Sequence, residues 1–181
     1  PPGQTWVNDY NGVFNGSRRA SFKRWWTGQM INQDRTIREK MVLFWHNHFA
    51  SELLIYGWPN MAYKQTAMLR ANCLKDFKAM VKAITLDPAM LIYLNGYLNT
   101  KTAPDENYSR ELQELFTVGK GPDSQYTEED VIQAARVLTG WRINFSTGQS
   151  YFDPNRHEEG NKIFSSFYGN TVITGRSGST A

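Results

Sequence analysis

From Arg18 to Gly140 apolar side chains recur three and four positions apart, and from Trp141 they alternate with polar ones. A period near 3.6 buries one stripe of a helix, whereas a period of two buries one face of a strand. The chain therefore has to build a helical body and finish on a small β element. Its 181 residues suffice for one core rather than two full domains. The fold expected is mainly α: an irregular helical bundle of about five to six helices with a small C-terminal β-hairpin appendage. Residues 1–17 read as an irregular lead-in, 18–140 as the helical domain, 141–175 as a β-rich appendage of the same domain and 176–181 as a frayed tail.

Local signals divide the helical part. A first helix is expected from about Arg18 to Asn32, with Phe22, Trp25, Trp26 and Met30 on its apolar side. A second starts near Asp34 to Thr36 and runs to about Ala50. After the turn at Trp58, Pro59 and Asn60, a long helical stretch covers Met61 to about Leu86 with a break near Asn72. Asp87 and Pro88 pair an N-cap with proline at the first helical position. Asp105 opens a further helix that Gly119 ends in a left-handed conformation. Thr127 with Asp130 three residues on is close to a capping box for the last helix, which Gly140 closes. Trp141 to Phe152 reads as a hairpin, and Ile163 to Thr174 as a second, shorter one.

Composition removes several classes of function. Hydrophobic residues at 40%, charged at 20% and a mean hydropathy of −0.55 describe a globular chain rather than a disordered or collagen-like one. No window approaches the roughly 18 uninterrupted apolar residues of a membrane helix. The formal charge is +3, with basic residues scattered among acidic ones, so no nucleic-acid partner is read. Arg18, Arg19, Lys23 and Arg24 do cluster in the first helix, but Trp25 and Trp26 beside them suit helix packing. A single cysteine, Cys73, excludes an internal disulfide and a Cys-rich zinc module. The opening Pro1, Pro2, Gly3 lacks a basic and apolar leader, so the sequence reads as an internal fragment without a targeting segment.

Three clusters can carry chemistry. On a helical wheel the second helix gathers Ile37, Met41, Val42, Phe44, Trp45, His48 and Phe49 into one apolar arc with His48 near its middle. His46 falls about 160° from His48, so the two cannot chelate one metal from a regular helix. A histidine inside an apolar stripe needs a hydrogen-bond partner or a ligand. The helix from Asp105 carries Glu106, Asn107, Arg110, Glu111 and Glu114 on one side and Tyr108, Leu112, Leu115 and Phe116 on the other. Glu106, Arg110 and Glu114 are spaced i,i+4, which suits a solvated ion-pair ladder. If a second element covers that face, Arg110 becomes a clamp between carboxylates and Glu111 or Glu114 a general base or hard-cation ligand. The third cluster, Arg156, His157, Glu158, Glu159 and Lys162, reads either as an exposed polar turn or as an acid/base and anion-holding group. No GxSxG elbow, Walker loop, GxGxxG or HExxH is present.

Several words then agree with one family in order and spacing. They are Arg38-Glu39-Lys40 leading to Phe44-Trp45-His46-Asn47-His48-Phe49, then Asp87-Pro88-Ala89-Met90-Leu91, then Glu106-Asn107-Tyr108-Ser109-Arg110-Glu111-Leu112. Glu114-Leu115-Phe116-Thr117-Val118-Gly119, Tyr126-Thr127-Glu128-Glu129-Asp130-Val131, Leu138-Thr139-Gly140-Trp141 and His157-Glu158-Glu159-Gly160 with Lys162 follow. Over about Arg38 to Lys162 the chain resembles the bacterial family called domain of unknown function 1800. The resemblance implies that His48, Asn107, Arg110, Glu111, Glu114, Trp141, His157 and Lys162 match recurring family positions, while Ser109 and Glu158 stand where alanine and aspartate are usual. It implies no reaction. It does imply a longer protein, exported to the periplasm or cell surface and encoded beside a second exported protein. Two functions are expected on this basis. In the first, an enzyme-like or ligand-binding domain brings together His48, Arg110, Glu111 and Glu114 as catalytic groups, with His48, Glu111, Glu114 and His157 as ligands of a divalent cation. In the second, a non-catalytic cell-surface scaffold or partner-binding domain uses the same polar groups to lock helices together.

Overall fold

The structure, a computed structural model, describes residues 5–10 and 15–175. The tail expected at 176–181 and part of the lead-in fall outside these. The chain is mainly helical and divides into two compact units: Pro1–Tyr93 with Asn144–Gln149, and Leu94–Ile143 with Ser150–Ala181.

The first unit holds α1 (Gly16–Asn32), α2 (Arg38–His48), α3 (Leu53–Tyr56), α4 (Pro59–Asn72), α5 (Phe77–Thr85) and α6 (Pro88–Tyr93). Their boundaries follow from capping chemistry. Asn15 accepts from the backbone N–H of Arg18 at 3.0 Å, so α1 starts two residues before the position its apolar period suggests. The long stretch after Trp58 breaks at Cys73 to Asp76, because Asp76 caps α5 through Ala79 N at 2.8 Å. Asp87 caps the turn of α6 through Met90 N at 3.0 Å, with Pro88 in the first turn as expected. The short α3 has no periodic signal in the sequence. The core of this unit is apolar around Phe22, Val42, Phe49, Leu69, Met80 and Ile84.

The buried side of α2 takes in only one edge of its apolar arc, together with Glu39. Glu39, Val42 and Phe49 face inward, His46 is half-buried edge-on against Trp26, and Ile37 and Phe44 stay 60% and 53% exposed. The cause is an ion pair. Glu39 takes a bidentate grip from Arg70 of α4, at 2.6 Å from Nε and 2.7 Å from Nη2, and the Arg70 guanidinium lies 4.8 Å from the Trp25 ring centre. A carboxylate inside a protein is tolerated only when paired, so the pair turns α2 until Glu39 reaches Arg70. His48 therefore sits half-buried at the margin of the packed face and not at its middle.

The second unit holds α7 (Asn107–Glu111), a π-helical segment (Leu112–Thr117) that continues it, and α8 (Glu128–Val137). Two two-stranded sheets follow: β1 (Trp141–Asn144) with β2 (Gln149–Phe152), and β3 (Lys162–Ile163) antiparallel to β4 (Val172–Ile173) with Lys162 opposite Ile173. Thr127 and Asp130 form the expected capping box of α8, and Gly119 and Gly140 close their helices at φ +91° and +94°. Among the described residues no helix is long and apolar enough to cross a membrane.

Candidate functional site

The polar words of the second unit converge on the ends of α7 and α8. Arg110 leaves α7 and forks onto Glu128 in the first turn of α8, Nη1 donating at 3.0 Å and Nη2 at 2.7 Å. Nη2 also donates to Glu106 at 3.0 Å, and Glu114 lies 3.7 Å from Nη1. Glu114 is paired in turn with Lys120. The i,i+4 pairs are thus present, and a second element does bring a carboxylate to Arg110. That element is the start of α8, and Glu128 is a partner the wheel of α7 alone cannot reveal. The hydrogen bond to Glu128 raises the Arg110 pKa, and the same bond lowers that of Glu128. Glu111 is half-buried and has no hydrogen-bond or ion-pair partner among the described residues. Asn107 donates to the carbonyl of Leu94 at 3.3 Å.

The π-helical segment changes which side chains face in. Val118 N bonds the Gln113 carbonyl, five residues back, at 3.0 Å, so the turn is wider than an α-turn. Gln113 is buried and Leu115 is 58% exposed, the reverse of their places on a regular wheel. Gln113 donates to the Ser109 carbonyl at 3.2 Å and accepts from the Tyr168 hydroxyl at 2.7 Å. A wide turn thus trades a leucine for an amide that can be satisfied inside.

The word from His157 to Lys162 is buried at its two ends, with Glu158 half-buried, while Glu159, Gly160 and Asn161 between them are exposed as a polar turn. His157 is 5% exposed and Lys162 1%. The Thr139 hydroxyl donates to the Arg136 carbonyl at 2.8 Å and accepts from Glu158 N at 2.9 Å. Its proton is therefore committed, and the contact of His157 Nδ1 with the Thr139 carbonyl at 2.9 Å requires the proton on Nδ1. Glu158 Oε1 accepts from Gly160 N at 3.0 Å. Its Oε2 lies 2.9 Å from Arg136 and 3.3 Å from Lys162, as an ion pair rather than an aligned hydrogen bond. Lys162 Nζ also donates to the Glu158 carbonyl. Burial pushes the Glu158 carboxyl up, but Arg136, Gly160 N–H and Lys162 outweigh it and hold the group below the usual range. Gly160 has a role as well: a Cβ there would stand 2.7 Å from Glu158 Oε1 and 2.9 Å from Arg136 Nη2. Arg136 is the partner that sequence reasoning passes over, since an arginine in a helix carries no signal of its own, whereas Thr139 stands in the word Leu138-Thr139-Gly140-Trp141 without its contact to His157 being legible there.

His48 belongs to the first unit, and Arg110, Glu111, Glu114 and His157 to the second. The rings of Phe44, Trp45, Phe49 and Phe77 surround His48, with centroids 4.7 to 6.4 Å away. Among the described residues no three of His, Cys, Asp and Glu come together in a way that could hold a metal ion. A family model described as "Protein of unknown function (DUF1800)" matches residues 11–179. The chain belongs to this family. In this DUF1800 chain, some of the words that carry the resemblance lie on α2 and α6 of the first unit, and the others lie on α7, α8 and the β3 region of the second. No curated protein and no solved structure matches the chain.

Proposed function

We propose that this DUF1800 chain is a non-catalytic, partner-binding domain whose polar words hold its own elements in place. One observation carries the reading. Each residue of the run Arg136, Thr139, His157, Glu158 and Lys162 makes at least one hydrogen bond or ion pair with another member of that run, and the glycine between them is the residue that leaves room for it. A site kept for chemistry leaves a nucleophile, base or ligand turned toward substrate; here the charges are spent on one another. In this reading the domain works in the periplasm or at the cell surface, beside a second exported protein encoded nearby, and its partner is not nucleic acid. The first two points follow family membership, and fractionation of cells carrying the gene tests them.

The test of the main reading is calorimetric titration of the chain with Mg²⁺, Ca²⁺, Mn²⁺ and Zn²⁺, together with unfolding curves of Arg110→Met and His157→Ala. We expect no saturable heat, and variants that lose stability alone. A saturable heat that Glu111→Gln abolishes overturns it. That outcome would favour the second reading, an enzyme-like or ligand-binding domain that gathers a divalent cation. The half-buried carboxylate of Glu111, without a hydrogen-bond or ion-pair partner among the described residues, is what supports this second reading.

A further inference from the structure

The arc of α2 that stays out of the core has a pattern of its own. Ile37, Met41, Phe44 and His48 follow one another at spacings of four, three and four, the spacing of the a and d positions along the seam of two packed helices. Ile37 already has helical backbone angles as the N-cap, so the line runs unbroken from there. Ile37 and Phe44 are 60% and 53% exposed, and the apolar surface continues sideways onto Phe77, 39% exposed at the start of α5. Phe44 and His48 stack at 6.4 Å, and His48 meets Phe77 at 6.1 Å, so the rings form one surface. Contiguous exposed apolar surface of this kind marks an interaction site.

The flanks say what would cover it. Positions beside the seam, equivalent to e and g, carry exposed Arg38 and Lys40; Lys75 in the turn before α5 and Lys78 and Lys82 on α5 are exposed as well. The first unit as a whole has twelve Lys and Arg against six Asp and Glu, a net charge of +6 in a chain whose total is +3. Charges at e and g select the partner of a seam by opposite sign. Resting on the partner-binding reading above, we infer that this face of α2 docks an amphipathic helix of a partner polypeptide with acidic residues on either side of its apolar stripe. A helical occupant matches both the seam spacing and the flanking charge. A membrane would reward the apolar tips without needing the spacing, and a nucleic acid would reward the charge without the apolar tips.

The probe is a labelled synthetic helix about three heptads long, with Leu at a and d and Glu at e and g, titrated with the whole chain and read by fluorescence anisotropy. We expect saturable binding that weakens at least about tenfold in Phe44→Glu and in Ile37→Glu. The double reversal Arg38→Glu, Lys40→Glu should lose the Glu-flanked helix and gain a Lys-flanked one. These side chains are solvent-facing, and an unchanged circular dichroism spectrum and melting temperature show that the variants are folded. The inference fails if wild type binds neither helix, or binds both alike. It fails equally if sedimentation shows the face taken by a second copy of the chain, or if phosphatidylglycerol vesicles or duplex DNA bind and Phe44→Glu abolishes that binding instead. If the helix fails while the metal titration stays silent and Arg110→Met and His157→Ala lose stability alone, the partner-binding reading stands and this face is not its surface.

Discussion

The Glu39–Arg70 pair offers the sharpest test of how this fold is held. Glu39 is 5% exposed at its side chain and Arg70 19%, and both guanidinium contacts are shorter than 2.8 Å. Replacing Glu39 by leucine leaves the guanidinium largely buried without its anion. Breaking a buried pair from one side costs about 3–5 kcal/mol. The part of Arg70 that reaches water and the face of Trp25 beneath it retain some stabilisation, which sets the expected loss for Glu39→Leu near the lower end, about 3 kcal/mol. With a urea dependence of about 1.5 kcal/mol per molar, the unfolding midpoint should fall by about 2 M. Tryptophan fluorescence reads the right part of the molecule, because Trp6, Trp25, Trp26, Trp45 and Trp58 belong to the first unit and only Trp141 to the second. The double variant Glu39→Leu, Arg70→Met removes both charges and should return to within about 1 kcal/mol of wild type. A loss below about 1 kcal/mol in the single variant, or a double variant no better than the single, would refute the claim that this pair orients α2.

Three further outcomes follow from the geometry. Burial raises the Asp87 carboxyl to about 7, against the hydrogen bonds it accepts from Met90 N and Gln65, so the folded state binds this proton more tightly than the unfolded one. Stability should therefore fall as pH rises from about 4 to about 7 and level off above, and urea titrations of Asp87→Asn should show a flatter profile across that window. Gly140→Ala should lower the melting temperature by several degrees, since φ is +94° and a Cβ would stand 3.0 Å from both the Asp153 carbonyl and the Phe152 ring. Lys162→Met should cost about 1–3 kcal/mol by thermal unfolding, and unfolding no more easily than wild type would mean that the buried ammonium contributes nothing.

Much of the fold is legible in local chemistry. Thr127 with Asp130, Asp87 with Pro88, and the glycines 119 and 140 act within a few residues of themselves, and each sits where the sequence places it. The hairpin from Trp141 is legible for the same reason. What depends on distant partners is not. The wheel of α2 counts Ile37 and Phe44 as core because nothing near Glu39 in the chain announces Arg70, 31 residues away. Arg110 announces Glu106 and Glu114 but not Glu128, and His157 gives no hint of Thr139. The site words are visible as words, while their meaning is set by residues that pattern alone leaves anonymous.

The wide turn at Leu112–Thr117 bears on the order in which the second unit assembles. Left to itself a short peptide of that composition winds at the ordinary pitch, because hydrogen bonds that reach five residues back are disfavoured locally. The broader winding becomes the better state only when the Tyr168 hydroxyl arrives to meet Gln113. Slow amide exchange at Val118 should then appear only after the chain around Tyr168 has docked, and Tyr168→Phe should speed it. A late-arriving segment near the end of the chain would thus set the pitch of a helix 55 residues upstream.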